Sequence, residues 1–271
     1  VMSVLSVFFT SSSLYIILQR KVPFFLINKS DYMASFFNLF LPSTIGGDVI
    51  KISKVSKYSG SFRNSTVSVI LDRFFGIVSL IILSAVFSII GVATETVNLP
   101  SYLTYLMAGI LFLVVIFFIL LLKINLTKFK EKTWEVKILN FRKTVNIGKW
   151  IQAVYEIREI PAKDLLLVLL ISFAYNMNGA LIAYITLKFL GVNISLSYVI
   201  LFRSISTILL MLPISISGLG VRDYVYKELY GSVTSSPQVL LLAPVTFILI
   251  CIIGIVGGII FLLDKKTKKE I

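Results

Sequence analysis

Apolar residues in this chain come in long unbroken runs. Those at 4–18, 67–92, 102–122, 165–188, 198–212 and 239–263 reach, or with flanking residues approach, the roughly 20 residues a helix needs to cross about 30 Å of hydrocarbon. They lack the in/out alternation of barrel strands, so helical spans are predicted. Two apolar stretches also end alike. Leu41-Pro42-Ser43-Thr44-Ile45-Gly46-Gly47-Asp48-Val49-Ile50-Lys51 and Leu212-Pro213-Ile214-Ser215-Ile216-Ser217-Gly218-Leu219-Gly220-Val221-Arg222 share Leu, Pro, Ile and Gly without a gap, and each closes on a cation. Proline removes a helical donor and glycine permits positive φ, so both segments are predicted to break a helix and turn. Paired breaks of this kind point to an inverted-repeat transporter and its substrate site.

Composition agrees with a membrane protein: 57% of residues are hydrophobic and mean hydropathy is +0.95. The single Cys251 has no partner for a disulfide, and histidine is absent. That removes the commonest metal ligand and the commonest general base near neutral pH, so no metal, no cofactor and no catalytic residue is expected. The net charge of +13 is carried by cations beside the spans. Orientation and anionic lipid account for it there, and no nucleic-acid partner is expected.

Charge placement sets a topology. Arg20, Lys21 and Lys29 follow the first span, and Lys51, Lys54, Lys57 and Arg63 follow the first break, which assigns both loops to the cytoplasm. The link between 92 and 102 carries Glu95 and no cation, so it is expected outside. The connector 124–163 and the tail with Lys265, Lys266, Lys268 and Lys269 are basic and expected inside. The stretch 33–41 must then enter and leave by one face, and 198–236 by the other. The expected fold is an all-α polytopic single domain over 1–271. A first repeat with its joining span covers 1–123, and a second, inverted repeat covers 164–271, each holding a re-entrant helical hairpin broken at Pro/Gly. The run 198–212, about 22 Å long as a helix, is nearly long enough to cross completely, which would be the competing topology.

Several polar residues fall at or near bilayer depth. The helix ends created at Pro42, Gly46 and Gly47, and at Pro213, Gly218 and Gly220, would offer backbone donors and a dipole to an anionic group such as phosphate. Lys51 and Arg222 would add charge, and a guanidinium suits the fork geometry of a phosphate. The plainer reading is a pair of Gly-rich turns that let helices pack closely, with the cations snorkelling to the interface. Asp72 and Arg73 lie a few residues into the third apolar element, where each would cost about 2.5 to 3.5 kcal/mol at a helix centre. Pairing meets that cost, and contact with substrate is the other option. Asp48 would pair with Lys51 or Arg73. Arg203, flanked by Ser204, Ser206 and Thr207, reads either as a headgroup contact or as half of a buried ion pair.

Other polar positions read as packing. Tyr175, Asn176 and Asn178 are expected to hydrogen-bond between helices, and Gly254, Gly257 and Gly258 to allow close helix approach. In the connector, Ile147, Trp150, Ile151, Val154 and Ile157 have helical spacing beside Lys149 and Arg158. An amphipathic helix on anionic inner-leaflet lipid is expected there, with docking of a cytosolic lipid-modifying enzyme as the alternative.

The two break segments, with Leu71-Asp72-Arg73-Phe74-Phe75-Gly76 between them and Asp223 after the second, resemble the lysylphosphatidylglycerol synthase transmembrane family, also called flippase-like. The blocks stand in the family's order and the resemblance covers nearly the whole chain. In multiple peptide resistance factors a related membrane region is held to move aminoacylated phosphatidylglycerol between leaflets, while a separate soluble domain makes it. The resemblance here is to the membrane region, so it implies translocation and not synthesis. Two departures stand out. Relatives generally carry a further apolar span before the position of Val1, so the alternatives are a span missing upstream and Val1 as a misread alternative start. Asp223 replaces the family's usual Glu and keeps its charge.

These readings together predict translocation of an anionic phospholipid or polyprenyl-phosphate-linked lipid between leaflets of the plasma membrane. The headgroup would sit among Pro42, Gly46, Gly47, Asp48, Lys51, Asp72, Arg73, Arg203, Pro213, Gly218, Gly220, Arg222 and Asp223. A non-transporting scaffold or regulator of a lipid-modifying or glycolipid-synthesis enzyme is the alternative. The sequence leaves the oligomeric state open.

Overall fold

The computed structural model describes residues 1–41, 45–95, 109, 133–138, 141–146, 160–210, 218 and 220–267. Among them are eight α-helices: α1 Met2–Ile17, α2 Phe24–Phe37, α3 Ile45–Ser59, α4 Phe62–Ala93, α5 Ala162–Phe189, α6 Leu196–Leu210, α7 Val221–Gly231 and α8 Leu242–Thr267. A 3-10 turn over Pro237–Leu241 leads into α8. Outside the bundle, β1 Thr133–Ile138 and β2 Phe141–Asn146 pair antiparallel in the connector, with Thr133 opposite Asn146. The sequence alternates Trp134, Val136 and Ile138 with charged residues, the period of a strand. The amphipathic helix expected over 147–157 and the span expected over 102–122 lie outside the described residues, as do Pro42 and Pro213.

Three helical segments are long and apolar enough to cross a membrane: Phe62–Ala93, Ala162–Phe189 and Pro237–Asp264. They coincide with the runs read at 67–92, 165–188 and 239–263. The remaining helices are shorter. α2, α3, α6 and α7 have 14, 15, 15 and 11 residues, no more than about 22 Å at 1.5 Å per residue. None of the four covers about 30 Å of hydrocarbon alone.

Helix starts explain two departures from the charge-based reading. Pro23, with φ −56° and ψ 134°, sits at the N-cap of α2, so the helix begins at Phe24 and Lys29 lies inside it rather than in a loop. Lys51, Lys54 and Lys57 likewise belong to α3, and Lys51 is buried. The cytoplasmic loops assigned from those cations are therefore shorter than expected.

The helices pack in a paired pattern. α2 packs most extensively on α8, and α6 packs on α4; α1 lies along α5; α2 meets α3, and α6 meets α7. Exchanging α1 with α5, α2 with α6, α3 with α7 and α4 with α8 turns every substantial helix–helix contact into another that is also present. The α2–α8 seam is close because α8 carries glycine where α2 presses on it. A Cβ at Gly257 would overlap the Tyr32 carbonyl, and one at Gly254 or Gly258 would meet Leu39 or the Phe36 ring. This is the packing role read for those glycines.

Ion pairs gather several helix ends. Asp264 of α8 accepts from Lys29 near the start of α2 at 2.8 Å and from Lys54 near the end of α3. Arg20, after α1, donates to both oxygens of Asp164 at the start of α5, at 3.0 and 3.1 Å. Elsewhere on α8, Ile248, Ile252, Ile255, Ile259 and Leu262 are exposed, an apolar face suited to acyl chains.

Candidate functional site

Two adjoining cavities lie inside the bundle, sharing Val7, Thr10, Ser35, Asn38, Arg73, Tyr175 and Thr207 in their walls. The first, about 250 Å³, is lined by both signs of charge: Asp31, Asp48 and Asp72 with Lys51 and Arg73. Lys51 of α3 and Asp31 of α2 form an ion pair, and both side chains are buried. Ser11 of α1 donates to the other Asp31 oxygen at 2.6 Å and receives a bond from Asn28 at 3.1 Å. Arg73 donates to Asp48 at 2.8 Å, and Ser13 donates to Asp72. Lys51 also lies within the fields of Asp72 and Asp48. Each cation is held by a carboxylate on a neighbouring helix, as buried charges require.

The second cavity, about 400 Å³, is lined by Arg73, Arg203 and Arg222 and by no carboxylate among the described residues. Arg203 comes from α6, and its guanidinium lies against Gly179 of α5, where a Cβ would overlap it. The Arg203 Nε is buried and has no hydrogen-bond partner among the described residues. Arg222 opens α7 and packs over Gly218, whose φ of +80° is a left-handed conformation suited to glycine. The two guanidinium groups are close enough to repel. Hydroxyls of Ser206, Tyr226 and Thr246 and apolar Leu249, Ile250 and Ile253 complete much of the wall. A pocket with concentrated positive charge, side-chain hydroxyls and an apolar flank can take an anionic headgroup with the root of its chains.

The residues singled out from the sequence divide between these surroundings. Asp48, Lys51, Asp72 and Arg73 line the first cavity, while Arg73, Arg203, Gly218 and Arg222 line the second. Asp48 pairs with Arg73, one of the two partners expected, and Lys51 pairs instead with Asp31. No ion pair to Arg203 is present among the described residues, so the buried-pair alternative read for it is not found. Gly46 and Gly47 are packing positions: a Cβ on Gly46 would strike Leu41, and the Gly47 amide donates to Asn38 at 2.8 Å. Gly220 precedes α7 with φ +75°, and its amide donates to the exposed Asp223 carboxylate at 3.1 Å. Asp223 lines neither cavity.

Of the interhelical bonds expected in α5, those of Asn176 and Asn178 are present, and Tyr175 lines both cavities. Asn176 donates to Ser79 at 2.7 Å and to the Gly76 carbonyl at 3.0 Å, and Asn178 donates to Ser6 at 2.8 Å and the Met2 carbonyl at 2.9 Å. Sequence reading missed Asp31 and Gly179. Asp31 follows Asn28, Lys29 and Ser30, a polar run that imitates a solvated loop. Gly179 carries no signal that an arginine from the next helix crosses it.

Comparison with known proteins bears on the whole chain. A family model described as the lysylphosphatidylglycerol synthase TM region matches residues 1–258. No curated protein and no solved structure matches.

Proposed function

The chain belongs to the lysylphosphatidylglycerol synthase TM family, a setting of membrane lipid metabolism, and from that premise we propose that it translocates an anionic lipid between leaflets. The second cavity holds the headgroup and the lipid tails remain in the bilayer. The observation that carries this reading is the three-guanidinium wall of Arg73, Arg203 and Arg222 without a lining carboxylate. Arg203, whose Nε is buried without a hydrogen-bond partner among the described residues, is the cation that an anion supplied from outside the protein would stabilise. The protein acts as a carrier, with no covalent step and no cofactor.

The architecture that serves this function is a pair of inverted repeats, α1–α4 and α5–α8, each with a short-helix hairpin, α2/α3 or α6/α7, entering and leaving by one face. Three observations support it. The hairpin helices are too short to span, the helix contacts are preserved on exchanging the two halves, and Asp264 ties the start of α2 to the end of α3. The cations Arg20, Lys29 and Lys54 lie toward the cytoplasm of the plasma membrane, as do the connector and the C-terminus. The basic connector rests on anionic inner-leaflet lipid. The cavities meet at Arg73, Tyr175 and Thr207. Rocking of one repeat against the other would expose this junction first to one leaflet and then to the other.

Reconstitution tests the reading. In proteoliposomes with a fluorescent headgroup-labelled anionic lipid, the full chain accelerates leaflet exchange over empty vesicles, and Arg222→Gln slows it. If correctly folded protein moves no anionic lipid under any ion gradient, a non-transporting scaffold for a lipid-modifying enzyme replaces this account.

A further inference from the structure

Resting on the reading of the second cavity as the headgroup site, we propose that the first cavity binds a proton at Asp72 and that this proton travels with the anionic lipid. The first cavity is lined by three carboxylates, Asp31, Asp48 and Asp72, and by two cations, Lys51 and Arg73. Lys51 is matched by Asp31, and Arg73 by Asp48. Among the described residues no cation forms an ion pair with Asp72, and Ser13 donates to its Oδ1. Around it, α1 brings Ser13, α2 Asp31, α3 Asp48 and Lys51, α5 Tyr175 and α6 the uncharged Thr207, while Arg73 is its neighbour on α4. The charges of Lys51 and Arg73 attract Asp72, and that of Asp31 repels it. The described lining therefore carries one negative charge in excess however the pairs are drawn, and such a charge held away from water is costly. One proton cancels it. The proton leaves bulk water and adds to an Asp72 carboxylate oxygen, and no other bond is made or broken.

The place of this charge ties it to the headgroup. Arg73, Tyr175 and Thr207 stand in the walls of both cavities, so an anion in the second lies beside the first. With Asp72 ionised, that anion meets a neighbour of net negative charge; with Asp72 protonated, the neighbour is neutral. Proton and anion each favour the binding of the other, and by linkage they do so by the same factor. A metal cation is a poorer counterpart, because among the described residues no three carboxylates or thiolates converge to hold one. Histidine, the usual proton carrier near neutral pH, is absent from the chain, and an intramembrane carboxylate is the other common carrier. A lipid of one negative charge and its proton together cross without moving net charge.

Calorimetric binding to the full chain in zwitterionic nanodiscs tests the inference. The probe is a phosphodiester lipid, whose single negative charge does not titrate in the range used. Affinity is expected to rise about tenfold from about pH 8 to about pH 5, with uptake of up to about one proton per lipid bound, read from two buffers of different ionisation enthalpy. Asp72→Asn, which imitates the protonated carboxyl, should bind at the higher pH nearly as tightly as the parent does at the lower, with no proton uptake. Ser13→Ala, which removes the one bond described for Asp72, should displace the pH midpoint of uptake without changing its size. Affinity independent of pH in the parent overturns the inference and leaves the headgroup site standing, as does dependence on sodium in place of the proton. Uptake that persists in folded Asp72→Asn, or a midpoint unmoved in Ser13→Ala, overturns the assignment to Asp72. Failure of the lipid to bind at either pH overturns the headgroup site itself.

Discussion

The two breaks that look alike in sequence end in opposite electrostatic surroundings. At the first, Lys51 is buried against Asp31, and Arg73 is bound to Asp48. At the second, Arg222 shares a cavity wall with Arg203 and Arg73, and no carboxylate lines it among the described residues. A cation after a Pro/Gly break is therefore not by itself a ligand site. Its role depends on what the facing helix supplies: Asp31 from α2 at the first break and Arg203 from α6 at the second. Two segments alike in sequence thus stand in different charge surroundings: the cations of the first have carboxylate partners, and the wall that holds Arg222 is lined by no carboxylate among the described residues.

That contrast is broken most severely at Asp31. Asp31→Ala leaves Lys51 buried without its carboxylate and should cost about 3 to 5 kcal/mol of stability. Replacing both members, Asp31→Asn with Lys51→Met, should recover most of the loss, measured by thermal unfolding in detergent. At the second break the expected effect is on transport. Arg203→Gln should cost about 2 kcal/mol or more of headgroup binding, or roughly 30-fold in flux below saturation, with stability unchanged or raised.

Two glycines sharpen the comparison at a smaller scale. A Cβ at Gly257 would overlap the backbone carbonyl of Tyr32, which cannot yield without separating α2 from α8. Gly257→Ala should destabilise by about 1 to 3 kcal/mol, as overpacking does. A Cβ at Gly179 would overlap the Arg203 guanidinium, a flexible group that can move aside. Gly179→Ala should fold nearly as well as the parent while flux falls about tenfold, the equivalent of about 1.4 kcal/mol. The smallest effect is expected at Asp264, whose partners Lys29 and Lys54 are only partly buried. Asp264→Asn should change the unfolding free energy by less than about 1 kcal/mol.

Much of this could be read along the chain, and the failures have a physical pattern. Spans α4, α5 and α8 announce themselves because lipid demands continuous apolar sequence. The close seam at Gly254, Gly257 and Gly258 and the bonds of Asn176 and Asn178 were legible because small and amide residues inside a span have few other uses. Sequence gives no depth, so charge places Lys51 in a loop, whereas α3 runs through that position. Asp31 hid in a polar stretch whose members point to different neighbours: Asn28 to Ser11, Lys29 to Asp264 and Asp31 to Lys51. The strand period at Trp134, Val136 and Ile138 is only three apolar positions long and lies in a connector whose wider charge points to lipid. Gly179 and Arg203 meet across helices, a relation with no local sequence trace.

The most direct measurement compares leaflet exchange by the doubly substituted Asp31→Asn/Lys51→Met protein and by Arg203→Gln, each reconstituted at equal density with the same labelled anionic lipid. The account predicts near-parental exchange by the double variant and strong loss in Arg203→Gln. Exchange abolished in a well-folded double variant and retained in Arg203→Gln would contradict it, moving the headgroup site to the first break.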